Sequence, residues 1–434
     1  MSFRSIIILL LCSTAWAADI YVSASGSGTS CTSGSPCTLT QGISNYSDGT
    51  SATIHFADGT YTVTNLSLNK GGGSTTSRLV LQCDNGLASA SAAIGHCLWR
   101  GTDPMPQVYG NNVDIRGFDI SGGANASWCI IGQASGASIP SSTSNSLHII
   151  GNYCHDYGSS VVNASFQGSV VGCPGTGAIS IGSHSHRTSD AQMIGNIILN
   201  VGLGFGHTYL NNSAVPAPCT SAEGFYVDAT SDGAKIWNNI GINIPTGAVQ
   251  VAASCGASVS NNVLISNTDG IIFEDVDDAN CPTGSPGHNV ANNNYFGNFT
   301  NAIFYVGQRT ICTSGAPNFF GNNFSDGGGT DRKPSAGTFS CDVTSPSSMT
   351  HVSGSTAFVN YQTAALGDLH PKTSSPLALG GTATCSSGGP SPCVPSTDFA
   401  NNTMSNPRPV GVYATQGGSG SVPNAPSGLD AVVN

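Results

Sequence analysis

HIIGNYCHD, residues 148–156, returns in altered spelling as QMIGNIILN from 192, KIWNNIGIN from 235, SVSNNVLIS from 258, NVANNNYFG from 289 and NFFGNNFSD from 318. The fifth place is asparagine in all six: Asn152, Asn196, Asn239, Asn262, Asn293 and Asn322, at spacings of 44, 43, 23, 31 and 29 residues. The second place is always apolar (Ile149, Met193, Ile236, Val259, Val290, Phe319), which assigns it to a core. Periods of roughly 20 to 50 residues mark solenoids or propellers, whose units bury their apolar sides only against each other. A strand-like run opening on a small residue precedes most phrases: GAISIG at 177, GFYVDA at 224, GAVQVA at 247, GIIFED at 270 and AIFYVG at 302. One coil is then this run, a turn, the asparagine phrase and a return. Coils stacked at the strand spacing of about 4.8 Å set each asparagine over the last. There the side chain serves the backbone groups of a buried bend and tolerates left-handed backbone. Gly117 in VDIRGFDIS is the expected first counterpart, glycine supplying the same freedom. No catalytic role is expected of the six.

Composition narrows the partners. The 434 residues include 39% hydrophobic residues, enough for a large core, but only 12 Lys+Arg and 23 Asp+Glu beside 56 Gly. Long charged helices are therefore not expected, and the polar surface falls to Ser, Thr and Asn. A formal charge of -11 without basic clusters argues against nucleic acid or an anionic membrane, both of which reward Lys/Arg patches. The partner expected is neutral, or anionic and bridged by a cation.

MSFRSIIILLLCSTAWA has Arg4 ahead of an apolar run from Ile6 to Cys12 and then the small-residue pattern Ala15-Trp16-Ala17. It reads as a secretory signal, residues 1–17, cleaved after Ala17. Its run is too short to span a bilayer, and no later segment qualifies, so no membrane span is expected. Without Cys12, 15 cysteines become 14, an even number in an exported chain, which favours disulfides over metal thiolates. Their order suggests that neighbours pair: Cys31 with Cys37, Cys83 with Cys97, Cys129 with Cys154, Cys173 with Cys219, Cys255 with Cys281, Cys312 with Cys341 and Cys385 with Cys393. No C-x-x-C zinc pattern competes.

The chain resembles the right-handed parallel β-helix superfamily of secreted proteins called pectate-lyase-like, over nearly all of its mature length. DIYVSASGSGTSCTSGSPCTLTQGI followed by ATIHFADGTYT is similar to the superfamily's opening, a first strand and short helix capping the solenoid. AFVNYQTAALGDLHPKTSSPLALGG and NPRPVGVYA resemble its closing module. The resemblance implies an all-β, single-stranded parallel β-helix over 18–416. An N-terminal cap and first coils would occupy 18–110, regular coils 111–330 and an irregular closing segment 331–416, with 417–434 as a linker-like tail. It is specific for fold and poor for function, because lyases, hydrolases, epimerases and non-catalytic surface proteins share the scaffold. It implies an extracellular polysaccharide as partner and leaves monomer or trimer open.

The function expected is that of a secreted or cell-surface polysaccharide lyase or inverting glycoside hydrolase acting on a glycan that can contain uronate. The alternative is a non-catalytic surface, matrix or glycan-binding protein. About 20 residues are inserted at 158–175 and at 204–221, each just before an opening run, and paired loops on successive coils would wall a cleft. Aligning the opening runs puts Ser180, Tyr226, Gln250, Ile272 and Phe304 in one outward column, and Gly182, Asp228, Ala252, Glu274 and Val306 in the next. Asp228 and Glu274 are then two coils apart, about 9.6 Å along the axis, near the roughly 6.5–9.5 Å between the carboxyls of inverting glycosidases. The turn SHSHR brings His184, His186 and Arg187 nearby, and a lyase would use these or Lys235 as base and cation. Tyr226, Gln250, Phe304 and Glu223 are the expected substrate contacts, with Trp237 a further ring for stacking on sugar. The acidic run EDVDD, with Glu274, Asp275, Asp277 and Asp278, suits a hard cation, so Ca2+ is the one cofactor considered. A solvated turn that keeps the solenoid soluble is the preferred account of that run. His148, His155 and His207 are expected to be structural, and Arg116 and Trp99 to pack.

Overall fold

The computed structural model of the chain describes residues 18–64, 66–87, 95–101, 106–121, 128–132, 146–156, 176–182, 188–201, 222–228, 233–244, 247–252, 254, 256–274, 288–297, 299–306, 318–334, 342–344, 349–382, 392, 394–400, 402–404 and 408–413. Each regular coil contributes three short strands. In one coil, Ala222–Asp228 joins a nine-stranded sheet, Lys235–Trp237 an eleven-stranded sheet and Ile240–Ile242 a ten-stranded sheet. We call these the opening, middle and return sheets. Pairing within each is parallel, strand on the equivalent strand of the next coil, which makes the chain a right-handed parallel β-helix. Strands that each bond only to the coils above and below give no coil a core of its own, so the stack is the folding unit.

Alternation along each strand decides what faces inward. The opening strands point Ile179, Phe225, Val249, Ile271 and Ile303 into the core, the middle strands Ile115, Ile149, Met193, Ile236, Val259 and Val290, and the return strands Ile198, Leu264 and Tyr295. All are buried, each contributing about 1.5–3 kcal/mol for a Val, Ile, Leu or Phe. At the N-terminal end, strand Ala18–Val22 pairs with Ala52–Phe56 and helix Leu39–Asn45 lies against it. The helix starts on the Thr38 hydroxyl, which accepts from Gln41 N (3.2 Å), and ends on Lys70 Nζ, which donates to the carbonyls of Ile43, Ser44 and Tyr46. Three of the expected disulfides lie within the described residues and are formed: Cys31–Cys37, Cys83–Cys97 and Cys129–Cys154. The other four pairings fall outside them. No described helix is long and apolar enough to cross a membrane.

The repeated asparagine forms a buried ladder at the turn between middle and return strands. Asn262 Nδ2 donates to the Ile236 carbonyl and to Asn293 Oδ1 (2.9 Å each), while its Oδ1 accepts from Asn239 N (2.9 Å) and Asn239 Nδ2 (3.0 Å). The same bonds join Asn152, Asn196, Asn239, Asn262 and Asn293. Two sequence expectations need correction. The last rung is Asn323, whose Oδ1 accepts from Asn293 N (3.0 Å), whereas Asn322 is exposed; Phe320, not Phe319, pairs with Val290. The left-handed residue is the one before each rung: Gly117, Gly151, Gly195, Asn238, Asn261, Asn292 and Asn322, with φ between 52° and 78°. Gly117 is therefore a turn residue, and Phe118, whose N–H donates to Asn152 Oδ1 (3.0 Å), stands where the first rung would be.

The closing segment does more than end the stack. The outer face of the return sheet is apolar through Ile197, Ile240, Ile242, Val263, Ile265, Phe296 and Phe324, and Phe358, Leu369, Leu377, Phe399, Val410, Val412 and Tyr413 cover it. The side chains before the rungs hold this strap: Asn238 Nδ2 donates to Thr397 O (2.9 Å), Asn261 Nδ2 to Gly411 O (3.1 Å) and Asn292 Nδ2 to Thr382 O (2.9 Å). Coils with glycine at that place, Gly117, Gly151 and Gly195, have no side chain to offer, and the last, Asn322, is exposed.

Candidate functional site

Where the strap covers the later return strands, the outer faces of the opening and middle sheets remain. On the opening sheet, strand pairing sets Ser180 beside Tyr226, Tyr226 beside Gln250, Gln250 beside Ile272 and Ile272 beside Phe304. The next outward row pairs Asp228 with Ala252, Ala252 with Glu274 and Glu274 with Val306. A Cβ on Gly182 would lie 1.9 Å from the Asp228 carbonyl oxygen, and the φ there is +98°, so glycine lets the coil carrying Asp228 seat closely on its neighbour. Little of this face is open: Asp228 is 3% exposed, Ser180, Gln250 and Ile272 are buried, and Tyr226 is half-buried.

Glu223 falls elsewhere. It shares the core-facing alternation of Phe225 and Val227 and is 4% exposed, which separates it from the Tyr226 column. Lys235 begins the middle strand of the coil whose opening strand ends at Asp228. It is buried, with Nζ 5.8 Å from the centre of the Trp237 ring. Trp237 packs with Ile150 and Ile194 and donates from Nε1 to Ser258 Oγ (2.8 Å), so its ring does not form a surface for sugar stacking. Glu274 and Phe304 are placed by their strand register alone. His184, His186, Arg187, His207, Asp275, Asp277, Asp278 and the two inserted loops lie outside the described residues. Among the described residues no group of His, Cys, Asp and Glu is arranged to hold a metal ion.

A polar network on the outer face of the middle sheet escaped the sequence reading. Asp114, fully buried, is bonded to the guanidinium groups of Arg78 and Arg116, and its Oδ1 lies 3.1 Å from His148 Nδ1. His148 Nε2 lies 2.8 Å from Asp190 Oδ2, which also accepts from Ser146 Oγ (3.0 Å), while Gln192 Nε2 donates to Asp190 Oδ1 (2.7 Å). Burial works to raise both carboxyl pKa values, but the hydrogen bonding and charge of His148 prevail. Asp114, aided by the charges of Arg78 and Arg116, is held well below the usual carboxylate range, and Asp190 at about 2. Ser146, His148 and Asp114 have the residue types of a nucleophilic triad, with Ser146 Oγ 3.4 Å from His148 Nε2. The bonding argues against that chemistry: Ser146 donates to Asp190 and accepts from Arg78 Nη1 (2.8 Å), and the nearer partner of His148 Nε2 is Asp190. The network ties four successive levels of the middle sheet together, from Arg78 at the start of strand Leu79–Cys83 to Gln192 on strand Gln192–Ile194.

No family model matches the chain, and no curated protein matches its sequence. Three solved structures are similar to it at low TM-scores. The pectate lyase Pel9A superposes with a TM-score of 0.40 at 11% identity, covering 92% of this chain and 97% of its own. A rhamnogalacturonan lyase gives 0.41 at 14%, covering 81% and 95%. A PL6-family polysaccharide lyase from Pseudopedobacter saltans gives 0.19 at 11%, covering 77% and 91%. At these values the likeness carries no statement about activity, and the parallel β-helix rests on the three sheets themselves.

Proposed function

We propose that the chain is a secreted protein acting on an extracellular polysaccharide, as a lyase or an inverting glycoside hydrolase, with its site on the outer face of the opening sheet. The observation that supports this best is the register: Asp228 and Glu274 occupy one row of the opening sheet two coils apart, with Ala252 at the level between them. That is about 9.6 Å of axial rise, at the upper end of the separation that leaves room for a water between acid and base. In the hydrolase reading one of the pair protonates the leaving oxygen and the other activates that water. In the lyase reading a base among His184, His186, Arg187 and Lys235 takes the proton beside a uronate carboxylate, and a cation neutralises that carboxylate. Calcium bound by Glu274, Asp275, Asp277 and Asp278 would supply such a charge. Tyr226, Gln250 and Phe304 would line the glycan along the axis. The three disulfides suit an oxidising, extracellular compartment.

The second reading is a glycan-binding protein without catalysis, in which half-buried Tyr226 is the accessible ring of the described part of this face. A panel of acidic and neutral polysaccharides, with and without calcium, separates the readings. Unsaturated products identify a lyase, reducing ends without unsaturation a hydrolase, and retention without product a binding protein.

A further inference from the structure

His155 ends the return strand Tyr153–His155, where the Tyr153 ring stacks on it at 4.3 Å. Two carboxylates from different levels of the chain meet its ring. Asp119, on strand Phe118–Ser121 of the preceding coil, places Oδ1 2.9 Å from Nε2, and Asp156, in the turn that follows, places Oδ2 2.7 Å from Nδ1. A neutral imidazole has one N–H and one lone pair, so only the imidazolium donates to both.

The two carboxylates are not held alike. Asp119 is fixed independently of the histidine: Oδ1 also accepts from Arg100 Nη2 (2.8 Å) and Oδ2 from Gly95 N (3.0 Å). The side-chain partner of Asp156 among the described residues is His155, and Asp156 holds a left-handed backbone, φ 58°, that an ordinary side chain disfavours. The next coil presents Leu199 beside His155. Among the described residues, the charged groups facing the ring are Asp119, Asp156 and, through Asp119, Arg100. Asp156 is also the residue from which the segment holding the 158–175 insertion departs.

We propose that His155 is a proton-operated clasp, whose imidazolium ties the turn at Asp156 to the coil of Asp119 and whose deprotonation releases that turn. Burial works to lower the His155 pKa, but the hydrogen bonds and charges of Asp119 and Asp156 prevail and raise it above the ordinary 6.5. A raised histidine contributes stability that is complete below 6.5 and is lost as pH rises through the folded-state value. Asp119 is lowered from 3.8, so its contribution is complete above that value and is lost as pH falls through the folded-state value. The clasp is closed in mild acid and opens towards alkaline pH.

The test is a proton–carbon NMR titration of His155 in the disulfide-intact mature protein, with amide exchange at residues 153–156 compared at about pH 5.5 and 8.5, ordinary values of two protonation regimes. The proposal predicts a midpoint above 6.5. It also predicts that the Asp156 amide, which donates to Leu199 O (3.3 Å), loses roughly tenfold in protection at the higher pH after correction for intrinsic exchange. In Asp156→Asn the midpoint falls by at least about half a unit and the pH dependence of protection disappears. His155→Gln leaves the amide weakly protected at both pH values; should that variant not fold, Asp156→Gly, which suits the positive φ, serves in its place and lowers the midpoint as Asn does. A wild-type midpoint at or below 6.5, or one that Asp156→Asn leaves unmoved, overturns the proposal.

Discussion

Asn262→Ala is the sharpest perturbation of the ladder. Asn262 is fully buried and makes four hydrogen bonds, two of which satisfy backbone groups, the Ile236 carbonyl and the Asn239 N–H. The alanine methyl reaches neither, and a dry turn admits no water to replace them. Each stranded buried group costs about 1–3 kcal/mol, and the amides of Asn239 and Asn293 each lose a partner besides. A destabilisation of about 3–5 kcal/mol is expected, large for a point substitution. Asn322→Gly is the control: Asn322 is exposed and glycine suits its φ of 52°, so the cost stays within about 1 kcal/mol. Urea unfolding followed by far-UV circular dichroism reads both as midpoint shifts at constant slope. A cost for Asn262→Ala below about 1 kcal/mol, or no greater than that of the control, refutes the ladder argument.

Three further outcomes follow from the packing. Asn292→Gly keeps the turn but removes both bonds to Thr382, Nδ2 to its carbonyl (2.9 Å) and Thr382 N to Oδ1 (2.8 Å); limited proteolysis within 376–413 accelerates while the coils stay folded. Asp114→Asn leaves the Arg78 guanidinium buried without its counter-charge, and thermal or urea unfolding shows a loss of about 3–5 kcal/mol, the usual cost of breaking a buried pair. His288 is fully buried, accepts at Nδ1 from Ala257 N (3.0 Å), and burial lowers its pKa from 6.5 to about 4. Because the unfolded chain takes up this proton first, its contribution is complete above 6.5 and falls as pH drops towards 4, by about 3 kcal/mol in all. His288→Gln removes that acid-side loss from the stability–pH curve.

The stack was legible in the sequence because two periodicities agree. Apolar second places and asparagine fifth places fix the coil, and alternation in the opening runs gives columns that the strand pairing reproduces residue for residue from Ser180 to Phe304. The last phrase slipped by one because Phe319 and Phe320 are both apolar and Asn322 and Asn323 adjoin, so composition alone does not set the register there. The strap was hidden by distance along the chain, since Asn261 reaches a carbonyl 150 residues away. Its signal was present in the change from glycine to asparagine one place before the rung. The middle-sheet network joins residues as far apart as Arg78 and Ser146, and the clue was charge at outward places, Asp114, Arg116 and His148, whose equivalents in later coils are neutral or apolar apart from Lys235. Glu223 lies close in sequence to the Tyr226 column, but the strand's alternation sets it with Phe225 and Val227, and it is buried.

The most direct measurement compares wild type and Asp228→Asn for product formation on a polysaccharide that the wild type degrades. The account predicts a loss of at least about 10²-fold, the contribution of a positioned acid or base, with an unchanged circular dichroism spectrum. Full activity in Asp228→Asn, or no product from the wild type on any glycan of the panel, contradicts it.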